Sequence, residues 1–409
     1  MLMAALPFYD SAALVVGGVG IAPFYVVMGA FLVAHCPEIL RWRPQPGDGL
    51  LVAFWVVCGV ITAAGPLLFR GVEVFSSDLG LDEQVGYLQT LDFQLSNVAQ
   101  LGYLALNLLL VGLLYRSADP VRLVHIAFSV GTLVALTSLI GATWPHSFFD
   151  TIPGGFYALT DYRPRGQFSE PSHLGLFALA AFTFYALMTL LHTGQKPGRL
   201  TCATLTAVSA LLIIRSESGT AVGGAAIAAV VVITIGAVKV FAGAKVPPLT
   251  MLLGMVATGA LVVVSPLIIG YGNDVLASKS GSVSQSNRSF ADDHAYELFW
   301  QSHGLGLGLG SNRASSLFAL LVSTIGVVGT GLFAVIAVVA LRAALRSAAT
   351  FPLAGALIAA LAAGVVSGGS FSSPLFWVLI GSAGSARYGF RQSQPERLLA
   401  MTHSPPETG

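Results

Sequence analysis

Charged side chains are scarce in this chain of 409 residues, and the scarcity excludes most soluble classes of protein. Charged residues make up 10% of the chain, against about 25% in typical soluble domains. Hydrophobic residues make up 55%. So few charges cannot cover a water-soluble fold that hides this much apolar mass. The composition excludes a cytosolic enzyme, a nucleic-acid binder and a disordered chain, and it indicates a polytopic protein surrounded by membrane lipids.

Several motifs are also missing. Cys36, Cys58 and Cys202 have no paired spacing, so neither a zinc site nor a disulfide framework is expected. No Lys or Arg precedes the first apolar run, so the basic region of a cleavable signal peptide is lacking. The alternating glycines of 304–310 are not followed by Gly-Lys-Ser/Thr and have no βαβ context, which excludes a nucleotide fingerprint. We therefore expect no metal and no cofactor.

Long apolar runs dominate what is present. A span needs about 20 mostly apolar residues, and this rule predicts an all-α bundle of about 11 (10–12) transmembrane helices in a single integral-membrane domain, 1–409. The runs are 12–34, 49–69, 97–115, 123–144, 173–193, 200–214, 220–238, 249–270, 315–341 and two short spans within 352–386.

The distribution of charge predicts the orientation of the bundle. One alternating set of short loops, with the tail 387–409, holds 13 of the 20 basic residues and should be cytoplasmic, including the C-terminus. The opposite set contains the long loops 70–96, 145–172 and 271–314 and most of the acids, which makes it net negative. Because long connections are often functional, we expect the chemistry at this external face.

Two external segments place charges at the membrane boundary. Arg163, Arg165, Glu170 and His173 lie in or beside the end of loop 145–172, and Arg215 and Glu217 lie in a very short turn. Such charges are costly unless paired or hydrated, which favours a functional site. The alternatives are that Arg163 reaches lipid headgroups, that Glu170 pairs with an arginine, and that the 215–217 turn is an ordinary charged hairpin tip.

The loop 271–314 adds further candidates. The candidate substrate-contacting residues in this loop are Arg288, His294, His303 and Arg313. Residues 291–302 have the pattern of a short amphipathic helix at the membrane interface. The glycines of 304–310 permit a tight re-entrant path and would expose backbone amides to an anion. A flexible lead-in to the next span is the alternative. Guanidinium groups at this face suit bidentate contacts with phosphate.

Two stretches resemble the O-antigen polymerase and ligase superfamily. Arg165-Gly-Gln-Phe-Ser-Glu-Pro-Ser is similar to its Arg-x-x-Gly-x-x-x-Glu-Pro-Ser motif. The stretch from Gly304 to Ser316, followed by Gly326-Val-Val-Gly329, is similar to its end-of-loop signature. Ligases of the family carry a His-Asn pair where this chain has Ser315-Ser316, and that departure favours a polymerase.

The resemblance implies a metal-independent membrane glycosyltransferase, a Wzy-type polymerase, which joins undecaprenyl-diphosphate-linked repeat units into an exopolysaccharide or O-antigen. The site would face the periplasm from the bacterial inner membrane, and a chain-length regulator and other assembly proteins would be partners. Glu170, Arg215 and Arg288 would be catalytic, with Glu170 as the base. The substrate would be bound by Arg163, Arg165, His173, Glu217, His294, His303 and Arg313. An O-antigen ligase acting on lipid A core, or a secondary transporter or flippase of lipid-linked glycan, is the alternative.

Overall fold

The computed structural model describes residues 1–10, 14–16, 19–41, 45, 47–75, 88–140, 163–191, 197–229, 270, 283–366 and 371–386. Within these ranges the chain is mostly helical, as the apolar runs predict. Most of the predicted span 249–270, the second half of 220–238, the first part of loop 145–172 and the tail 387–409 lie outside the described residues.

The described elements follow one another in this order. The N-terminal ones are α1 (Leu2–Ala5), a 3₁₀ turn (Leu6–Phe8), β1 (Leu14–Val16), β2 (Val19–Ile21), α2 (Pro23–Ala34) and α3 (Cys36–Leu40). Next come α4 (Asp48–Leu68), β3 (Glu73–Val74), β4 (Gln89–Thr90), α5 (Leu95–Tyr115), α6 (Pro120–Ile140), α7 (Pro171–Leu191), α8 (Arg199–Ser216) and α9 (Gly219–Ala229). The rest are α10 (Val283–Gln301), α11 (Leu317–Ala344), α12 (Phe351–Val366) and α13 (Pro374–Ala386).

Six of the described helices are long and apolar enough to cross a membrane, namely α4, α5, α6, α7, α8 and α11. Their bounds agree closely with the apolar runs, because a long run without charges has no other stable state in lipid than a helix. Four shorter apolar helices, α2, α9, α12 and α13, accompany them. The count of about eleven spans stays a prediction.

The run 12–34 is not one helix, which corrects the predicted first span. Its first part forms the antiparallel hairpin of β1 and β2, in which Leu14 pairs with Ile21, and helix α2 begins only at Pro23. The β-branched Val15, Val16 and Val19 favour extended backbone, and proline is well suited to the first turn of a helix. Hydropathy alone does not distinguish this arrangement from a continuous span.

Helix α7 is the central helix of the bundle. Among the six candidate spans it has the largest buried share, 61%, and it packs most extensively against α8 and α12. Small residues allow close contacts with α7: a Cβ at Gly175 would come within 2.8 Å of Ser218, which lies between α8 and α9, and one at Gly355 of α12 would come within 2.3 Å of Leu187. Close packing of this kind replaces the hydrophobic drive that helices lack in lipid. The N-terminal end of α7 is therefore held in place by its close packing against the neighbouring helices.

Several helix ends meet at one end of the bundle, which we call the Glu170 end. It comprises the last turns of α4 and α8, the first turns of α5, α7 and α11, and helix α10. The helix predicted over 291–302 is confirmed and is longer, since α10 runs from Val283 to Gln301.

Candidate active site

The loop before α7 positions Glu170 directly before the start of that helix. Phe168 is fully buried, with its ring 5.2 Å from Phe177 and 5.7 Å from Tyr9. The side-chain amide of Gln167 donates to the carbonyl of Gly131 on α6 at 3.2 Å. Two neighbouring helices and the N-terminal segment therefore hold the loop in place. The Glu170 carbonyl accepts from the His173 amide at 3.1 Å, which begins the helix.

Glu170 forms an ion pair with Arg288. The guanidinium Nη2 of Arg288 lies 2.8 Å from Oε2 of Glu170, and the Ser172 hydroxyl donates to the same oxygen at 2.8 Å. Both charged side chains are about one third exposed, at 30% and 38%. The loop before α7 and helix α10 thus meet through a charged contact that solvent reaches.

The surroundings of Glu170 strongly favour its ionised form. Burial alone would raise its pKa, but the positive charges of His173 and Arg288, the Ser172 hydroxyl and the charge of Arg313 more than reverse this, and they lower the pKa to about 2. Arg313, which is half-buried, is therefore close enough to act on the same carboxylate. The site combines one carboxylate with two guanidinium groups and an imidazole.

Asp10 is a member of this cluster that the sequence analysis missed. Its Oδ2 lies 2.5 Å from Nδ1 of His173, 2.5 Å from the hydroxyl of Ser169 and 2.8 Å from the amide of Ser169. The only sequence signal is an acidic residue next to Tyr9 in an otherwise apolar N-terminal stretch. Because Asp10 and His173 are 163 positions apart, no local pattern relates them.

The turn after α8 lies at the same end of the bundle. Glu217 takes the left-handed conformation, with φ 45°, and its carbonyl accepts from Arg163 at 3.3 Å. Arg215 is exposed in the last turn of α8. The side chain of Glu217 is also exposed. Arg163, Arg215 and Glu217 thus lie together at the surface, as the membrane-boundary argument expects.

Arg165 differs from these surface residues. It is only 3% exposed, and its carbonyl accepts from the amide of Phe168 at 3.1 Å. A buried guanidinium group requires partners. At this depth the side chain would contact only a ligand that enters the bundle, and not one that rests on its surface.

The glycine-rich segment 304–310 packs into the bundle. Helix α11 has non-helical backbone at Gly326 (φ 62°, ψ −166°), which frees carbonyls in its first turns. The amides of Leu307 and Gly308 donate to the carbonyls of Ser323 and Thr324 at 2.9 and 2.8 Å. Non-helical backbone at membrane depth is stable only where protein satisfies it in this way.

Close backbone contact requires glycine at two of these positions. A Cβ at Gly326 would lie 2.3 Å from the Leu305 carbonyl oxygen, and one at Gly308 (φ 100°) would lie 2.8 Å from Cα of Thr62. Both have backbone conformations that L side chains rarely adopt. The predicted tight path is confirmed, and the alternative of a flexible lead-in does not apply to a segment packed this closely.

The amides of this segment are not open to an anion, so that part of the prediction is wrong. Leu307 and Gly308 donate to the carbonyls of α11, and Leu309 donates to Oγ1 of Thr62 at 3.0 Å. The side chain of Asn97 donates to the Leu309 carbonyl at 2.7 Å. Buried backbone groups must be paired. We predicted that an anion would accept hydrogen bonds from these amides, but the neighbouring helices supply the acceptors.

Two residues predicted to bind the substrate, His294 and His303, have their described contacts away from Glu170. The Nε2 of His294 lies 2.9 Å from the carbonyl of Glu73, and its ring stacks against Phe290, so it ties α10 to β3. His303 is exposed in the turn after α10, with φ 51°. Neither residue makes a contact to Glu170 among those that the structure describes.

The serines that replace the ligase pair have structural partners. The amides of Ser315 and Ser316 both donate to Oδ1 of Asp292, at 2.7 and 2.9 Å. The Ser316 side chain also caps α11 by accepting from the amide of Ala319. Asp292 therefore joins α10, which carries Arg288, to the segment between Arg313 and the start of α11.

No family model and no curated protein matches this chain. In the described ranges, no group of three or more His, Cys, Asp or Glu side chains is arranged to hold a metal ion.

Seven of the ten predicted site residues form two groups in space, and Arg165, His294 and His303 lie outside both. Glu170, His173, Arg288 and Arg313 gather around one carboxylate, with Asp10 added. Arg163, Arg215 and Glu217 gather at the turn after α8. Clustered charges in a partly buried setting are typical of functional sites in membrane proteins.

Proposed function

We propose that the protein is a metal-independent glycosyltransferase of the bacterial inner membrane that polymerises undecaprenyl-diphosphate-linked oligosaccharide repeat units. The observation that carries the proposal is the meeting of Glu170, His173, Arg288 and Arg313 at one end of an apolar bundle. Glu170 and Arg313 lie in the two stretches that resemble the O-antigen polymerase and ligase superfamily, and His173 directly follows the first of them.

The charges of this cluster suit a diphosphate. Arg288 and Arg313 each act on Glu170, so an anion that approaches the carboxylate meets two guanidinium groups. Guanidinium forks bind phosphate oxygens in a bidentate manner, and they stabilise the negative charge that grows on a diphosphate leaving group. The ion pair of Arg288 with Glu170 is partly exposed, so a substrate can rearrange it.

A lipid substrate also needs access from the bilayer. The exposed side chains of the described spans are largely apolar, and Trp300 (73% exposed) and Leu305 (51% exposed) lie at and just after the C-terminal end of α10, the helix that carries Arg288. Exposed tryptophan is typical of a membrane–water interface. A lipid diphosphate has its headgroup at such an interface.

A polymerase is favoured over the ligase by the surroundings of Ser315 and Ser316. Both serines hold the start of α11 through Asp292 and leave no histidine at that position. The transporter alternative expects charges near the middle of spans. The charged residues of the six candidate spans lie near helix ends, as do Asp48, Arg199 and Arg342.

Purified protein in detergent tests the activity directly. The substrate is the undecaprenyl-diphosphate-linked oligosaccharide that accumulates in a strain from which the gene is deleted. We expect its mass to grow by whole repeat units, without metal and without a second compartment. A flippase gives no growth in detergent, and a ligase gives product only when lipid A core is added.

Variants in the deletion strain test the phosphate role. Arg288→Ala and Arg215→Ala should each stop chain growth while single repeat units still appear. Arg342→Ala, an exposed arginine in the last turn of α11 at the other end of the bundle, is the matched control and should leave chain length unchanged. Wild-type chain-length distributions in both test variants would contradict the phosphate assignment.

A further inference from the structure

Three donors converge on one oxygen of Asp10. The amide and hydroxyl of Ser169 and Nδ1 of His173 all lie within 2.8 Å of Oδ2. An ionised carboxylate only accepts hydrogen bonds, so this arrangement requires a proton on Nδ1 of His173. The neutral imidazole then has its lone pair on Nε2.

The Nε2 atom of His173 makes no hydrogen bond among the described residues. The side chain is 18% exposed, and its described hydrogen bonds all involve Nδ1, to Asp10 and to Ser169. The residue lies three positions after Glu170 in the first turn of α7. The charged groups that face it are Asp10 from the N-terminal segment, Glu170 from the preceding loop and Arg288 from α10.

Glu170 is poorly suited to accept a proton in the same place. Burial alone would raise its pKa, but the positive charge of His173, the ion pair with Arg288 and the hydrogen bond from Ser172 stabilise the charged form and lower the pKa to about 2. A general base works best when its pKa is near the operating pH. An ordinary imidazole changes its charge near neutral pH, and Asp10 and Glu170 stabilise the positive charge that His173 gains when it accepts a proton.

We propose that His173 is the general base of the transfer reaction, that Asp10 is its positioning residue, and that Glu170 instead holds Arg288. The inference rests on the proposed function. The acceptor hydroxyl oxygen bonds to the anomeric carbon of the donor as its proton moves to Nε2. The bond from that carbon to the diphosphate oxygen breaks, and undecaprenyl diphosphate leaves with the electron pair. His173 then returns the proton to water.

Chain growth in detergent as a function of pH tests this assignment. The wild type should lose kcat as pH falls through the ionisation of one group between about pH 5 and 8, because a protonated imidazole cannot accept the proton. If Glu170 were the base, no such loss would occur in that range. His173→Gln should lower kcat by at least about 100-fold and remove this pH dependence.

Asp10→Asn separates positioning from simple stability. The side-chain amide that this substitution introduces donates to Nδ1 and moves the histidine proton to Nε2, so kcat should fall on the order of 100-fold while KM changes little. His125→Gln and Asp48→Asn are matched controls at the other end of the bundle, where His125 contacts Tyr185 and Asp48 pairs with Arg116. Both should keep wild-type kcat and pH dependence.

The possible outcomes separate the two proposals. No chain growth by the wild type would overturn the proposed function itself. An active wild type with His173→Gln within about threefold of its kcat, and with unchanged pH dependence, would overturn only the assignment of the base. If His173→Gln does not give monodisperse protein, the wild-type pH profile and Asp10→Asn decide the question, and a flat profile with full Asp10→Asn activity contradicts the assignment.

Discussion

The Oε2 atom of Glu170 and the Nη2 atom of Arg288 lie 2.8 Å apart, although the residues are separated by 118 positions in the chain. The contact joins the loop before the central helix to helix α10. It also contributes to the electrostatics of the site, because the charge of Arg288, together with that of His173, favours the ionised form of Glu170, while Arg288 stays partly exposed.

This ion pair predicts a pH-dependent contribution to stability. The pKa of Glu170 is lowered to about 2 in the folded protein, so its stabilising effect is complete above the unfolded value of about 4.5 and is lost as pH falls towards 2. Glu170→Gln should lower the Tm at pH 7, and the difference from the wild type should shrink below about pH 4.5. Because the pair is partly exposed, we expect at most about 1 kcal/mol. Thermal unfolding in detergent at several pH values measures this.

Glu297→Gln is the control for that experiment. Glu297 lies on α10, and its side chain is 70% exposed, 3.6 Å from His294. Its substitution should leave Tm nearly unchanged at both pH values. A Tm difference for Glu170→Gln that is the same at pH 7 and pH 3 would contradict the ion-pair explanation.

The glycine-rich segment predicts a contrast between two glycines of helix α11. Gly326→Ala places a Cβ 2.3 Å from the Leu305 carbonyl oxygen at φ 62°, whereas Gly331 has open space around it. Gly326→Ala should destabilise the protein by more than about 2 kcal/mol, and Gly331→Ala should be neutral or slightly stabilising. Thermal unfolding of the two purified variants checks this, and equal stability of the two would be inconsistent with a packed segment.

Asn97 predicts a second stability effect at the same place. Its side-chain nitrogen donates to the Leu309 carbonyl at 2.7 Å and to the Ser311 hydroxyl at 2.9 Å. Asn97→Ala leaves these buried acceptors without a donor, which costs about 1–3 kcal/mol. Gln89→Ala, on the short strand β4, changes an amide side chain outside this contact and should have little effect. A Tm for Asn97→Ala equal to the wild type would show that the segment is held in another way.

Cysteine labelling tests the predicted orientation. Cys36 is exposed, whereas Cys58 and Cys202 are buried. In intact spheroplasts a membrane-impermeant maleimide should not label Cys36, and it should do so in inverted vesicles. Thr90→Cys in a Cys36→Ser background places an exposed thiol on β4 and should show the opposite pattern. Labelling of Cys36 from outside would reverse the topology.

Much of the architecture follows from local sequence. The runs 97–115 and 173–193 predict α5 and α7 to within a few residues, since an uncharged run of that length forms a helix in lipid. The prediction of one helix over 12–34 was wrong because a hairpin with β-branched residues is as apolar as a helix. The charged residues of the external segments stay candidates for a site, and the structure brings Glu170, His173 and Arg288 together. The alternative that Glu170 pairs with an arginine is found, but the sequence did not identify Arg288 as that arginine.

The sequence by itself determined that this protein belongs in a membrane, where its apolar helices lie and which charged residues stand at their ends, because these properties depend on composition and on near neighbours. Only the tertiary structure decided that Asp10 holds His173, that Glu170 pairs with Arg288, and that the glycine-rich segment satisfies its amides within the bundle. Those contacts join residues far apart in the chain, and packing of the helices is what brings them within hydrogen-bonding distance.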